Sequence, residues 1–166
     1  MALALCLFGF PVTAVAAPGD TVSQSGTAQV LVVEPIGIQN VADLRFGRML
    51  AGTTGGTVTM GPTGVVTDAG GMAGNTNTPQ AIDGRGPGGF AIFADGATSV
   101  RITTPTPTFT ITNAAGNTMQ VSNLTLARFS GNATFVSITI GARLTVGANQ
   151  PTGNYTGTYT LRADYF

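Results

Sequence analysis

Along Val136–Val146 the chain alternates strictly, with Val136, Ile138, Ile140, Ala142, Leu144 and Val146 apolar and Ser, Thr, Gly and Arg between them. A period of two puts one set of side chains on a buried face and the other in water, which is the pattern of a half-buried strand. Tyr155–Tyr165 repeats the pattern. There Tyr155, Tyr159, Leu161, Ala163 and Tyr165 share a face against Thr156, Thr158, Thr160, Arg162 and Asp164. Pro151 and Gly153 supply the turn between the two segments. Upstream, Phe90–Ala94 and Val100–Thr103 read as a hairpin turned at Asp95-Gly96, a dipeptide that tolerates positive φ. Phe109–Thr112 and Thr118–Leu126 form a second candidate pair around Ala115-Gly116-Asn117. Ala28–Ile38 is apolar and β-branched but interrupted by Pro35, which cannot donate to a ladder; it predicts two strands, or one edge strand with a break. Ala51–Gly89 is rich in Gly, Thr, Asn and Pro and predicts short strands, such as Thr57–Met60 and Gly64–Val66, joined by long loops. No window carries an apolar stripe of helical period. The pattern therefore predicts an all-β, two-sheet sandwich of about seven strands.

Composition sharpens this reading. The 166 residues suffice for one domain with a real core. Charged residues make up 8% against 43% hydrophobic, with 24 Gly and a formal net charge of zero. That balance is unlike a disordered chain, which needs high net charge and few β-branched residues. With no basic run to hold a phosphate backbone, nucleic acid is not an expected partner. Weak charge also means weak self-repulsion, which suits packing against copies of itself. Met1–Ala17 (MALALCLFGFPVTAVAA) is a short apolar run ending in Ala14-Val15-Ala16, the pattern of a cleavable secretory signal. The expected organisation is a signal peptide at 1–16, a flexible segment at 17–27 and a single β-sandwich domain at 28–166. Cleavage after Ala16 would remove Cys6, the only cysteine.

Candidate chemistry is sparse. There is no histidine and no lysine, so acid–base work would fall to Asp, Glu or Tyr alone. The acids Asp20, Glu34, Asp43, Asp68, Asp83, Asp95 and Asp164 are scattered, mostly in turn sequences, and no loop gathers enough of them for calcium. Gly84-Arg85-Gly86-Pro87-Gly88-Gly89 has the glycine density of a dinucleotide fingerprint, but a strand pattern and not a helix follows it, so it is expected to be a loop. Asn123-Leu124-Thr125, Asn132-Ala133-Thr134 and Asn154-Tyr155-Thr156 fit the glycosylation pattern as chance matches in a Thr-rich chain. The expectation is a non-enzymatic protein with no cofactor and no metal.

Several segments together carry a resemblance. Val33-Glu34-Pro35-Ile36-Gly37-Ile38 is followed by Ala42-Asp43-Leu44-Arg45-Phe46-Gly47, by Gly56-Thr57-Val58-Thr59, and by Phe90-Ala91-Ile92-Phe93-Ala94-Asp95-Gly96. The last and most specific is Leu144–Tyr159 (LTVGANQPTGNYTGTY). The chain resembles the family catalogued as domain of unknown function 4402 and is more distantly similar to spore coat protein U-like subunits of archaic chaperone–usher pili. Such pilins have an immunoglobulin-like sandwich lacking its last strand, which an N-terminal extension of the next subunit completes. The resemblance implies a structural subunit of a fimbria-like surface polymer of a Gram-negative bacterium, acting in adhesion and biofilm. Its partners would be copies of itself or sibling subunits, a periplasmic chaperone and an outer-membrane usher. It would pass through the periplasm to the cell surface. Ala28, Val30 and Val32 are the candidate donor strand; Tyr159, Leu161, Ala163, Tyr165 and Phe166 are the candidate chaperone-contact strand. Two alternatives stand beside this. Ala28–Val33 can be the domain's own first strand, and the protein can be a self-complete secreted sandwich acting as a monomeric adhesion or binding module.

Overall fold

A computed structural model describes residues 19, 23, 25–32, 34–72, 84–96, 99–131 and 134–165, with the side chains of 128–131 excepted. The expected signal segment, Asp83 and Phe166 lie outside the described residues. The chain divides into two units, Met1–Val32 and Val33–Phe166.

Within the second unit every described element is a strand. These are β1 (Gly37–Ala42), β2 (Arg45–Phe46), β3 (Gly56–Met60), β4 (Val66–Gly70), β5 (Arg85–Gly86), β6 (Gly88–Phe93), β7 (Val100–Thr103), β8 (Phe109–Thr112), β9 (Thr118–Gly131), β10 (Phe135–Val146) and β11 (Arg162–Tyr165). Seven form one antiparallel sheet, and β7–β11 and β2–β5 form two-stranded ribbons. The fold is all-β and sandwich-like, as the period-two pattern predicts, with eleven described strands where about seven are expected.

The long β9–β10 hairpin organises the sheet. β9 follows one edge of β10 from Val136 to Thr145. Along the other edge, β6 pairs with Phe135–Ile140 and β3 with Ala142–Val146. The handover between β6 and β3 falls at Gly141, where a Cβ would run into the Met60 carbonyl oxygen and press on Pro62 N at 2.6 Å. Opposite it the β9 register shifts between Gly141 and Arg143, and Asn123 takes φ 53°. Asparagine tolerates that left-handed conformation, and a bulge there bends the hairpin into two wings.

Each wing buries its own cluster. Val136, Ile138 and Ile140 of β10 meet Ile92 and Leu161, with Ile36, Phe90, Ile102, Tyr159 and Ala163 half-buried against them. The inward residues of the β7–β11 ribbon thus close over the β6–β10 wing. Ala142, Leu144 and Val146 meet Val58, Met72, Ile111 and Val121 in the second cluster, and Leu124 from the bulge packs against both. The alternation read from Val136–Val146 is borne out at every apolar position, all six being buried.

Three expectations need correction. Phe90–Ala94 and Val100–Thr103 do not form a hairpin. Both edges of β6 are already taken, by β1 and β10, so β7 crosses to pair with β11. The glycine run at 84–89 is not a loop, since Arg85–Gly86 and Gly88–Gly89 lie in strands. Glycine is needed because a Cβ at Gly88 would collide with the Tyr159 hydroxyl. Tyr155–Tyr165 is not one continuous strand either. Only a single bridge, Thr112 to Thr156, precedes β11, and Gly157 lies hard against Thr110 O, where a Cβ would sit at 2.6 Å.

Candidate strand-docking interface

The C-terminal strand is held on one edge only. β11 pairs antiparallel with β7 in the register Arg162–Thr103, Ala163–Ile102, Asp164–Arg101 and Tyr165–Val100, and no described strand lies along its other edge. Alternation turns Leu161, Ala163 and Tyr165 inward and Arg162 and Asp164 outward. The outward pair close a 2.9 Å ion pair with each other.

Four of the five candidate contact residues, Tyr159, Leu161, Ala163 and Tyr165, are described and lie here, though not as one strand. Leu161 is buried in the core of the β6–β10 wing and Ala163 half-buried against it. Tyr159 precedes the strand. Its ring lies between Phe90, at 6.1 Å edge-on, and Phe109, at 5.5 Å. Its hydroxyl is buried without a hydrogen-bond partner. Burial raises the phenol pKa, and the nearby Asp43 carboxylate raises it further. Tyr165 is half-buried. Its hydroxyl donates to the Glu34 carbonyl at 2.8 Å and accepts from the Asp95 amide at 3.0 Å.

The chain enters this region through a corner that sequence reading missed. The Tyr155 hydroxyl donates to the Pro151 carbonyl, four residues back, at 2.7 Å and accepts from Gln150 Nε2 at 3.0 Å. Gln150 also donates to the Thr118 carbonyl and accepts from the Gly147 amide, which ties the corner to β9 and β10. Immunoglobulin-like sandwiches use a similar device, a tyrosine near the start of strand F whose hydroxyl bonds back to the backbone a few residues upstream. The Tyr-after-Pro-x-Gly spacing was the available signal.

The candidate donor residues Ala28, Val30 and Val32 lie in the other unit. Among residues 25–32 there is no strand, and each is exposed, Val30 at 86%, Leu31 at 75% and Val32 at 85%. The first described strand of the sheet starts at Gly37, after Pro35.

Among the described residues, no group of three or more His, Cys, Asp or Glu could hold a metal ion, and no helix is long and apolar enough to cross a membrane. Also among them, the buried Arg85 is paired, its Nη1 reaching Asp68 at 2.8 Å, with Nε and Nη2 unpartnered.

A family model described as "Domain of unknown function (DUF4402)" matches residues 36–165. The chain belongs to the DUF4402 family. The match begins one residue before β1 and takes in all eleven strands. The exposed Ala28–Val32 segment lies upstream of the DUF4402 domain. Neither the curated proteins nor the solved structures include a match.

Proposed function

We propose that this DUF4402 protein is an exported, non-enzymatic structural subunit of a bacterial fimbria-like surface polymer, assembled by strand complementation. The observation that carries this reading is the exposure of three consecutive large apolar residues, Val30, Leu31 and Val32, in a segment that pairs with nothing described in its own chain. A free monomer gains nothing from holding such a segment in water. A neighbour gains main-chain hydrogen bonds from an added strand and burial from its alternate side chains.

The open edge of β11 supplies the complementary half. Unpaired strand edges invite pairing with another chain, and proteins commonly protect them with charge or cover. Here the strand's one ion pair, Arg162–Asp164, lies on its outward face, which leaves the inward row Leu161, Ala163 and Tyr165 uncharged. An incoming Ala28–Val32 strand would place Ala28, Val30 and Val32 on one face by its period of two. A periplasmic chaperone that protects the same edge in transit, and an usher that exchanges it for the next subunit, complete the reading. Surface adhesion and biofilm structure are the roles such a polymer serves.

The test is assembly of the purified mature chain without a chaperone, followed by negative-stain electron microscopy and by denaturing electrophoresis without boiling. Linear multimers that survive detergent are the expected product. Deleting residues 25–32 should leave only folded monomers. If the deletion assembles like the parent chain, or the parent remains a monomer at high concentration, strand complementation is wrong.

A further inference from the structure

We infer that the Tyr165 hydroxyl clamps the joint between successive subunits and so sets the bending stiffness of the fibre. The inference rests on the strand-complementation reading and adds a positioning residue to it. Tyr165 is the only described tyrosine whose hydroxyl joins three distant parts of the chain. It donates to the Glu34 carbonyl, 131 residues away, and accepts from the Asp95 amide, 70 residues away. Glu34 stands two residues after Val32. Pro35 follows with its φ fixed by the ring, and Ile36 is half-buried against the core of the β6–β10 wing. Between a strand docked in a neighbour through Val32 and the Glu34 carbonyl held by Tyr165, the sequence has only Val33 and Glu34 itself. Two extended residues span at most about 7 Å. A connection that short, pinned at the Glu34 carbonyl and followed by a proline and a buried isoleucine, has few backbone torsions left to turn. The hydroxyl is the part of this anchor that can be removed without touching the strand ladder, because β11 pairs with β7 through its main chain.

Tyr165→Phe in the full chain keeps the ring and removes the clamp. Hydrogen exchange at the Asp95 amide should quicken about two- to tenfold, the range one net hydrogen bond supports. Fibres should still form, with a shorter persistence length in micrographs. Inserting Gly-Gly between Val33 and Glu34 should shorten the persistence length equally while leaving Asp95 exchange at the parent rate, since the clamp then stays closed and only the joint is longer. Parental stiffness in Tyr165→Phe fibres or unchanged Asp95 exchange would each overturn the clamp. A parent chain that makes no fibres at all fails strand complementation itself, a result distinct from stiff fibres in the variant.

Discussion

The double substitution Val30→Asp, Val32→Asp separates folding from assembly, because the two side chains do nothing for the monomer. They are 86% and 85% exposed and belong to no strand. Polar replacement at such surface sites changes folding stability within about ±0.5 kcal/mol. Docked in a neighbour, each valine would be withdrawn from water, which is worth roughly 1.5 to 3 kcal/mol per side chain. Losing both removes about 3 to 6 kcal/mol from each subunit contact. At 1.4 kcal/mol per tenfold, that is about two to four orders of magnitude in affinity. Carrying two carboxylates into an apolar site adds a desolvation cost on top. Urea denaturation of the monomeric fraction measures the first quantity. Light scattering against concentration, checked by micrographs, measures the second. The expected result is an unchanged urea midpoint with assembly abolished at concentrations where the parent polymerises fully. Assembly within tenfold of the parent would refute the donor assignment, and a monomer destabilised by more than about 1 kcal/mol would show that the segment belongs to its own fold.

Three further substitutions probe the domain itself. Tyr159→Phe removes a buried hydroxyl that has no partner, so neutral-pH stability should hold or rise in urea melts. The raised phenol pKa adds a pH signature. The folded state holds that proton more tightly than the unfolded chain, so stability is intact below the unfolded pKa of 10.0 and falls as pH climbs past it. Tyr159→Phe should flatten that alkaline decline, and an identical decline in both proteins would contradict the assignment. Asp68→Ala strands the Arg85 guanidinium, whose side chain is 4% exposed, and should cost about 3 to 5 kcal/mol by denaturation. A loss below about 1 kcal/mol would mean that the charge escapes to water. Gly141→Ala drives a methyl into the Met60–Pro62 backbone and should destabilise by about 1 to 3 kcal/mol, with fast exchange of β3 amides as the local marker.

What could be read from the chain, and what could not, follows from the range of the forces involved. β10 was plain because one face of it is wet and the other buried, and alternation reports that directly. The β8–β9 turn was plain because Gly116 carries a φ of +83°, which few other residues accept. Alternation reports a face and not a neighbour, however, so nothing local told β6 to take β1 and β10 and leave β7 to β11. The strands at Gly88–Gly89 were hidden because glycine normally weakens a strand, and its use here depends on Tyr159 lying above it. The Arg85–Asp68 pair and the bonds of Tyr165 join residues far apart in sequence, where pattern has no reach. Ala28–Val32 was visible as an apolar alternating segment. That it stays outside the sheet was not visible, since the same pattern serves a strand kept and a strand offered.

Because β3 and β6 both dock on β10 and not on each other, the order of synthesis matters. A ribosome or a translocation channel releases β1 to β9 before the strand that unites them exists. The β3–β4 pair and the β1–β6 pair can form early, but each waits with an unsatisfied edge until Phe135–Val146 arrives. Ladder closure between segments so distant in sequence is slow. Until Phe135–Val146 has emerged, the β3–β4 and β1–β6 pairs have no strand to join them into one sheet.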